Sequence, residues 1–356
     1  MRWFRILLVA LAVTLAGSSA FAMFRAAYMV VIPTAAATPG LNSSNWRTDL
    51  DIMNVDTVAV DVEVVLLQCC GIDNVTWFQN VKNHLGGRTE DGFGHVDTKL
   101  KDIQPGQAVY LGDVVKANWG DNIKGALLVF AYQAGTLNAA GSLGGVPKLI
   151  VAQARTYSLG ATADGTPMTY GAEVPGLPWH DYVDPYQKDN GLDKAVFMGL
   201  TENASYRTAI GLINVSDRLT SINVTLTLSY TAADGTAQTA EANVQMAPLS
   251  VEQYDQAIIT LFGKTAADAI TGATLSLTVP LLLTTAQIPA PGLMAYVTRM
   301  DNVTNDPVYL EQSFTAGFPW ECVFNGNCPP KFTAQGLGVQ AAPRHRLLPP
   351  TLSQAK

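Results

Sequence analysis

An internal repeat constrains this chain more than any other feature. Asn45-Trp-Arg-Thr-Asp-Leu-Asp-Ile-Met-Asn-Val55 aligns with Ser205-Tyr-Arg-Thr-Ala-Ile-Gly-Leu-Ile-Asn-Val215 at a constant offset of 160 residues. Arg47 and Thr48 fall on Arg207 and Thr208, and Asn54 and Val55 on Asn214 and Val215. The register runs on without a gap until Val62, Val64 and Leu66 meet Ile222, Val224 and Leu226. Self-similarity at this spacing means two copies of one unit, so any fold assigned to one copy must serve the other. The length of 356 residues agrees, at roughly 150 residues per domain.

Within each copy the apolar residues alternate with Asp61 and Glu63, or with Ser221, Asn223 and Thr225. That is period two, the mark of a strand with one buried and one wet face. Leu50 and Ile52, like Ile210 and Leu212, set an inward face one strand earlier. Asn54 and Asn214 end that strand, where an Asn side chain can bond nearby backbone and turn the chain. Arg47 and Arg207 stand beside Trp46 and Tyr206 at equivalent strand starts. A guanidinium there can stack on the ring and fork onto a carboxylate or carbonyl, so all four repeated residues read as structural.

The copies continue in parallel. Short helices are expected over residues 113–118 and 255–262, strands over 125–130 and 272–277, and closing strands over 149–157 and 293–300. Short strands joined by turns, without long helical patterns between them, predict an all-β antiparallel sandwich in each copy. The organisation follows: residues 1–22 a signal peptide, 23–175 a first domain, 176–193 a linker, 194–316 a second domain, and 317–356 a cysteine loop and Pro-rich tail. The first copy carries a long insertion at 69–101, read either as a functional loop or as an extra hairpin covering an edge strand.

Arg2 and Arg5, the apolar run from Ile6 to Ala16 and the small-x-small site Ala20-Phe21-Ala22 make the signal peptide. The expected setting is therefore secreted, extracellular or cell-surface, with the periplasm as a further compartment. No later segment is expected to cross a membrane. Loss of two arginines would leave 20 basic against 29 acidic side chains. An acidic chain with no basic clusters argues against a nucleic-acid partner. Of the four cysteines, Cys322 and Cys328 bracket an Asn-Gly turn and are favoured as a disulfide. Cys69 and Cys70 then form a vicinal pair or remain as thiols; the alternative is that they reach across to Cys322 and Cys328 and staple the tail to the first domain.

Trp46-Arg-Thr-Asp with Asn54, Arg155-Thr-Tyr with Gly171-Ala-Glu-Val-Pro175, Tyr206-Arg-Thr with Asn214, and Asp301-Asn-Val-Thr-Asn-Asp-Pro307 form a pattern over residues 28–312. It resembles uncharacterised secreted bacterial proteins with tandem immunoglobulin-like β-sandwich domains. The resemblance implies two such sandwiches and an extracellular setting, and brings no catalytic residues.

Chemistry-bearing motifs are sparse. The four histidines, His84, His95, His180 and His345, fall in no zinc-ligand spacing, and Gly-x-Ser-x-Gly does not occur. No cofactor is expected. Asp301, Asn302 and Asp306 are the best calcium candidates, although they lack the EF-hand spacing and also suit an ordinary turn. Trp77, Phe78 and Trp179 are candidate ligand contacts. The expected function is a non-enzymatic structural or protein-binding module of a bacterial surface, matrix or appendage, its partners other extracellular proteins or copies of itself. The alternatives are a carbohydrate- or calcium-dependent adhesion module, and a secreted hydrolase or its accessory domain.

Overall fold

A computed structural model of the chain describes residues 25–75, 84–86, 97–136, 145–161, 166–179, 181–185, 188, 191–215, 221–280 and 292–314. The first half runs β1 (Met29–Pro39), β2 (Asn45–Asn54), β3 (Val60–Gln68), β4 (His84–Gly86), β5 (Ala108–Leu111), α1 (Val114–Trp119), β6 (Ile123–Gln133), β7 (Ile150–Ala161), β8 (Pro167–Pro175) and β9 (Leu177–Pro178). The second half repeats it: β10 (Lys194–Glu202), β11 (Tyr206–Asn214), β12 (Ile222–Thr231), β13 (Ala237–Met246), β14 (Val251–Tyr254), α2 (Ala257–Phe262), β15 (Ile270–Thr278), β16 (Leu293–Asp301), β17 (Pro307–Glu311) and β18 (Ser313–Phe314).

The strands form four antiparallel layers. Sheet I has the order β5-β2-β7-β8 and sheet II the order β4-β3-β6-β1, with β9 on the free side of β1. Sheet III, β14-β11-β16-β17, repeats the order of sheet I, and sheet IV, β13-β12-β15-β10-β18, that of sheet II. Strand β1 links sheets I and II, since it pairs with β6 along most of its length and then with β2 at Thr38 and Pro39. The fold is all-β, with two short helices in the connections. Among the described residues no helix is long and apolar enough to cross a membrane.

The duplication is closer in backbone than in sequence. Tyr110 and Gln253 occupy matching places opposite Asp51 and Gly211, so the offset falls from 160 to 143 between β3 and β5. The first half is therefore 17 residues longer there, and β4 lies on β3 as β13 lies on β12. Left-handed residues recur at the new offset: Gly106 with Leu249, Asp113 with Gln256, and Gly120 with Gly263. Strands β6 and β15 match three residues away from the expected Gly125–Gly272 alignment. Leu127 and Leu277 lie opposite Leu66 and Leu226, and Asn122 and Gly272 share a positive φ.

Three apolar layers hold the sheets. Val30, Leu50, Val64, Leu66, Leu127 and Ala154 belong to a core between sheets I and II. Phe197, Ile210, Leu226, Leu275 and Val297 form the matching core between III and IV. A third core joins the halves: Val31, Val65, Leu67, Leu128 and Phe130 on sheet II pack with Ile213, Val251, Met294 and Tyr296 on sheet III.

This third core corrects the one-wet-face reading of β3. Asp61 is 8% and Glu63 2% exposed, because sheet II is covered on both faces. Asp61 is accommodated by accepting the backbone N–H groups of Asp102 and Gly135 at 2.9 Å each. Nor do β7 and β16 close their units; each forms a hairpin with a further strand, β8 or β17. The expected linker is woven into both halves, with β9 on β1 and Val183 bridged to Leu293.

Candidate functional site

The repeated polar residues sit at equivalent corners. Asn54 donates its amide to the carbonyls of Val58 and Ile103 (2.9 and 2.8 Å) and accepts the N–H of Asp56. Asn214 donates to the carbonyl of Ala247 at 2.8 Å. Both are fully buried, so these bonds satisfy backbone groups that water cannot reach.

The two arginines have diverged. Arg47 lies 3.4 Å from Asp113 and 3.2 Å from Asp121, and donates to the Trp46 carbonyl. Arg207 is 2% exposed and has no carboxylate within ion-pair distance among the described residues. Its Nη atoms donate to Asn305 Oδ1 (2.7 Å), Asn302 Oδ1 (3.0 Å) and the Asp301 carbonyl. Burial lowers its pKa, against the pull of Asp255, Glu202 and Asp301. Nearby Glu202 is equally buried and accepts the Thr208 N–H at 3.0 Å; burial raises its carboxyl.

The calcium candidates belong to the same arrangement. Asp301 Oδ1 accepts the N–H groups of Val303 and Thr304 at 2.8 Å, which hold its carboxyl below the usual range. Asn302 turns its oxygen to Arg207 and its amide to the carbonyls of Asn203 and Ala204. Asn302 Oδ1 thus meets the Arg207 guanidinium, Asp301 Oδ1 caps its own turn, and Asp306 enters through its carbonyl, which accepts the Asp301 N–H. Among the described residues no group of three or more His, Cys, Asp or Glu side chains is placed to hold a metal.

A cavity of about 230 Å³ lies where the halves meet, with Thr34, Trp46 and Thr156 on one wall and Tyr296, Thr298 and Tyr309 on the other. Tyr296 and Tyr309 stack with centroids 5.9 Å apart, and burial raises both phenols. The Lys124–Asp255 pair (3.6 Å) spans the junction, as does the bond from the Gly71 N–H to Glu252. Cys69 and Cys70 are joined as a vicinal disulfide beside it, and Cys69 bridges to Val251. The favoured partners Cys322 and Cys328 lie outside the described residues.

Sequence reasoning missed the outer face of sheet I. Asp49 Oδ1 accepts the Asp113 N–H (2.8 Å) and the Tyr157 hydroxyl (3.2 Å). Arg155 stands 5.0 Å over the Tyr157 ring and donates to Thr169. Burial, then the charge of Asp49, pushes the Tyr157 phenol up to about 12. Burial also raises Glu173, directly opposite Arg155. In the second half the matching positions of Asp49, Asp51, Arg155 and Glu173 hold Ala209, Gly211, Thr298 and Tyr309. The exposed copy is charged, and the copy facing the other half is small, neutral or aromatic.

Trp179 packs at the edge of two cores. It is half-buried against the first and third cores, its ring 5.6 Å from that of Tyr28. Trp77, Phe78, His95, His180 and His345 lie outside the described residues, and His84 is placed only as part of β4.

No family model matches the chain, and no curated protein matches it. Among solved structures, a calcium binding mutant (D341A D367A) of Bacteroides uniformis beta-glucuronidase 2 is similar at 11% identity, with a TM-score of 0.15. The likeness covers 80% of this chain and 28% of that one, and at so low a score it carries no argument about fold or function.

Proposed function

We propose that the chain is a non-enzymatic secreted structural or protein-binding module of a bacterial surface, matrix or extracellular appendage. The observation that carries this reading is the use of its polar residues. The repeated Arg and Asn residues, the 301–306 turn and the charges at the junction all tie one backbone segment to another. The reading includes export by the 22-residue leader and two immunoglobulin-like halves. In support, two consecutive strands in opposite sheets (β1, β2) pair with two later consecutive strands (β6, β7), as B and C pair with E and F in that fold.

Crosslinking in the native culture, followed by identification of the linked proteins, tests the function. Surface or appendage proteins are the expected products. Turnover of any substrate in a broad hydrolase panel, abolished by neutralising Asp49, Asp51 or Glu173, would overturn the non-enzymatic reading in favour of an active sheet I face.

A further inference from the structure

We propose that the free edge of β13 is a self-association site, where two copies of the chain add β13 to β13 antiparallel about a two-fold axis and so join their sheets IV. The partner is a second copy of this chain. The proposal deepens the protein-contact reading above and rests on it.

The backbone comes first. β13 pairs with β12 without a register shift, from Ile222 opposite Met246 to Thr231 opposite Ala237. The hairpin turn sets the bonding phase: Ala232 donates to the Thr236 carbonyl at 2.8 Å, and Gly235 donates to the Ala232 carbonyl at 2.9 Å. In an antiparallel ladder bonded pairs then recur every second residue, so the even-numbered residues of β13 bond β12. Ala237, Thr239, Glu241, Asn243 and Gln245 turn their N–H and C=O groups outward. Among the described residues nothing bonds those backbone groups, and all five residues are exposed. Sheets usually blunt so long an edge with Lys, Pro or a bulge, and β13 has none of these.

The side chains select the register. Glu241 is the lone charge on the strand. Setting it opposite its own symmetry mate would place like charges face to face, which is destabilising. Sliding so that Glu241 faces Asn243 of the second copy still matches odd residues with odd, as the outward bonds require. Symmetry makes the contact twice, each carboxylate meeting an amide. Thr239 then faces Gln245, Ala240 faces Val244, and Ala242 meets its own mate at the axis. Val244 is already core, so the small apolar side of the edge continues across the new pair.

Sedimentation equilibrium of the full chain, at low and high salt, reads the association. A monomer–dimer equilibrium is expected, tighter at high salt because copies of net charge −7 repel. Thr239→Pro and Asn243→Pro remove outward N–H groups while sparing the bonds to β12. Each is expected to weaken the dimer by about tenfold or more with an unchanged far-UV spectrum. As a second measurement, the double variant Glu241→Cys with Asn243→Cys should crosslink between chains on oxidation where the unsubstituted chain does not. A wild type monomeric at every concentration, a dimer indifferent to both proline variants, or no such crosslink would overturn the proposal. The first outcome leaves the search for other protein partners untouched, so the two readings fail separately.

Discussion

Arg47 and Arg207 occupy equivalent positions and face different electrostatics. Arg47 is balanced by Asp113 and Asp121, whose side chains are 36% and 50% exposed, so the pairs are screened by water. Arg207 is held by neutral amide oxygens in a closed turn. Replacing it strands buried acceptors, a more costly loss. Arg207→Met is expected to lower unfolding stability by about 3 kcal/mol, and Arg47→Met by about 1 kcal/mol, read from urea midpoints. Equal losses would mean that burial does not separate the two sites. The pairing of these arginines was legible from the matched Arg-Thr motifs. Their divergence was not, because the residues that distinguish them, Asp121 and Asn305, lie far off in the chain.

Glu202 gives a pH test at the same scale. Folding raises its pKa by burial, so the folded chain holds this proton more tightly than the unfolded chain. Its contribution to stability is present below the ordinary glutamate range and is lost as pH rises through the raised value. Glu202→Gln keeps an acceptor for the Thr208 N–H and removes the titration. The variant should gain stability relative to wild type as pH rises from 4 towards 7, read in paired urea titrations. A constant difference across that window would exclude Glu202 as its source.

At the scale of strands, the two copies separate into alternating and continuous apolar patterns. β12 reads Ile-Asn-Val-Thr-Leu-Thr-Leu, with its wet face open, whereas its counterpart β3 runs Val-Val-Leu-Leu over residues 64–67. β15 alternates and β6 runs Ala-Leu-Leu-Val-Phe-Ala; β2 alternates and β11 runs Ala-Ile-Gly-Leu-Ile. A strand buried on both faces loses its polar alternation. The sequence therefore carried the third core as a difference between copies, while matching the copies for likeness revealed only the strands and the helices. Gly211 belongs to this difference. A Cβ there would lie 1.9 Å from the Tyr296 ring, which occupies the inter-half face. Gly211→Val should expel Tyr296 and destabilise the chain by about 3 kcal/mol through overpacking, whereas Gly235→Ala, in an open turn at φ 84°, should cost about 1 kcal/mol. Chemical denaturation of the two variants side by side checks the order.

For the whole molecule, sheets I, II, III and IV stack in that order, leaving one face of sheet I and one of sheet IV outermost among the described residues. Sheet II meets sheet III through apolar side chains, and by the internal repeat sheet IV of one copy could meet sheet I of the next in the same way. The terminal faces differ from those at the junction. Sheet I presents Asp49, Asp51, Arg155 and Glu173, and sheet IV presents Asn223, Thr225, Ser229 and Ser276, none of which is buried. Polar outer faces cap a stack much as terminal repeats cap a solenoid. Each half nevertheless has its own core, so each is expected to fold without the junction, which then sets only the cooperativity of unfolding. Ile213 is fully buried in the third core, away from the cores of both halves. Ile213→Asp places an unpaired carboxylate in that layer, a penalty the chain can escape by parting the halves. Calorimetry is expected to show one transition for the wild type and two for Ile213→Asp, with the strand content of the native state retained. A single lowered transition would mean that neither half can stand alone, and that the three cores form one indivisible unit.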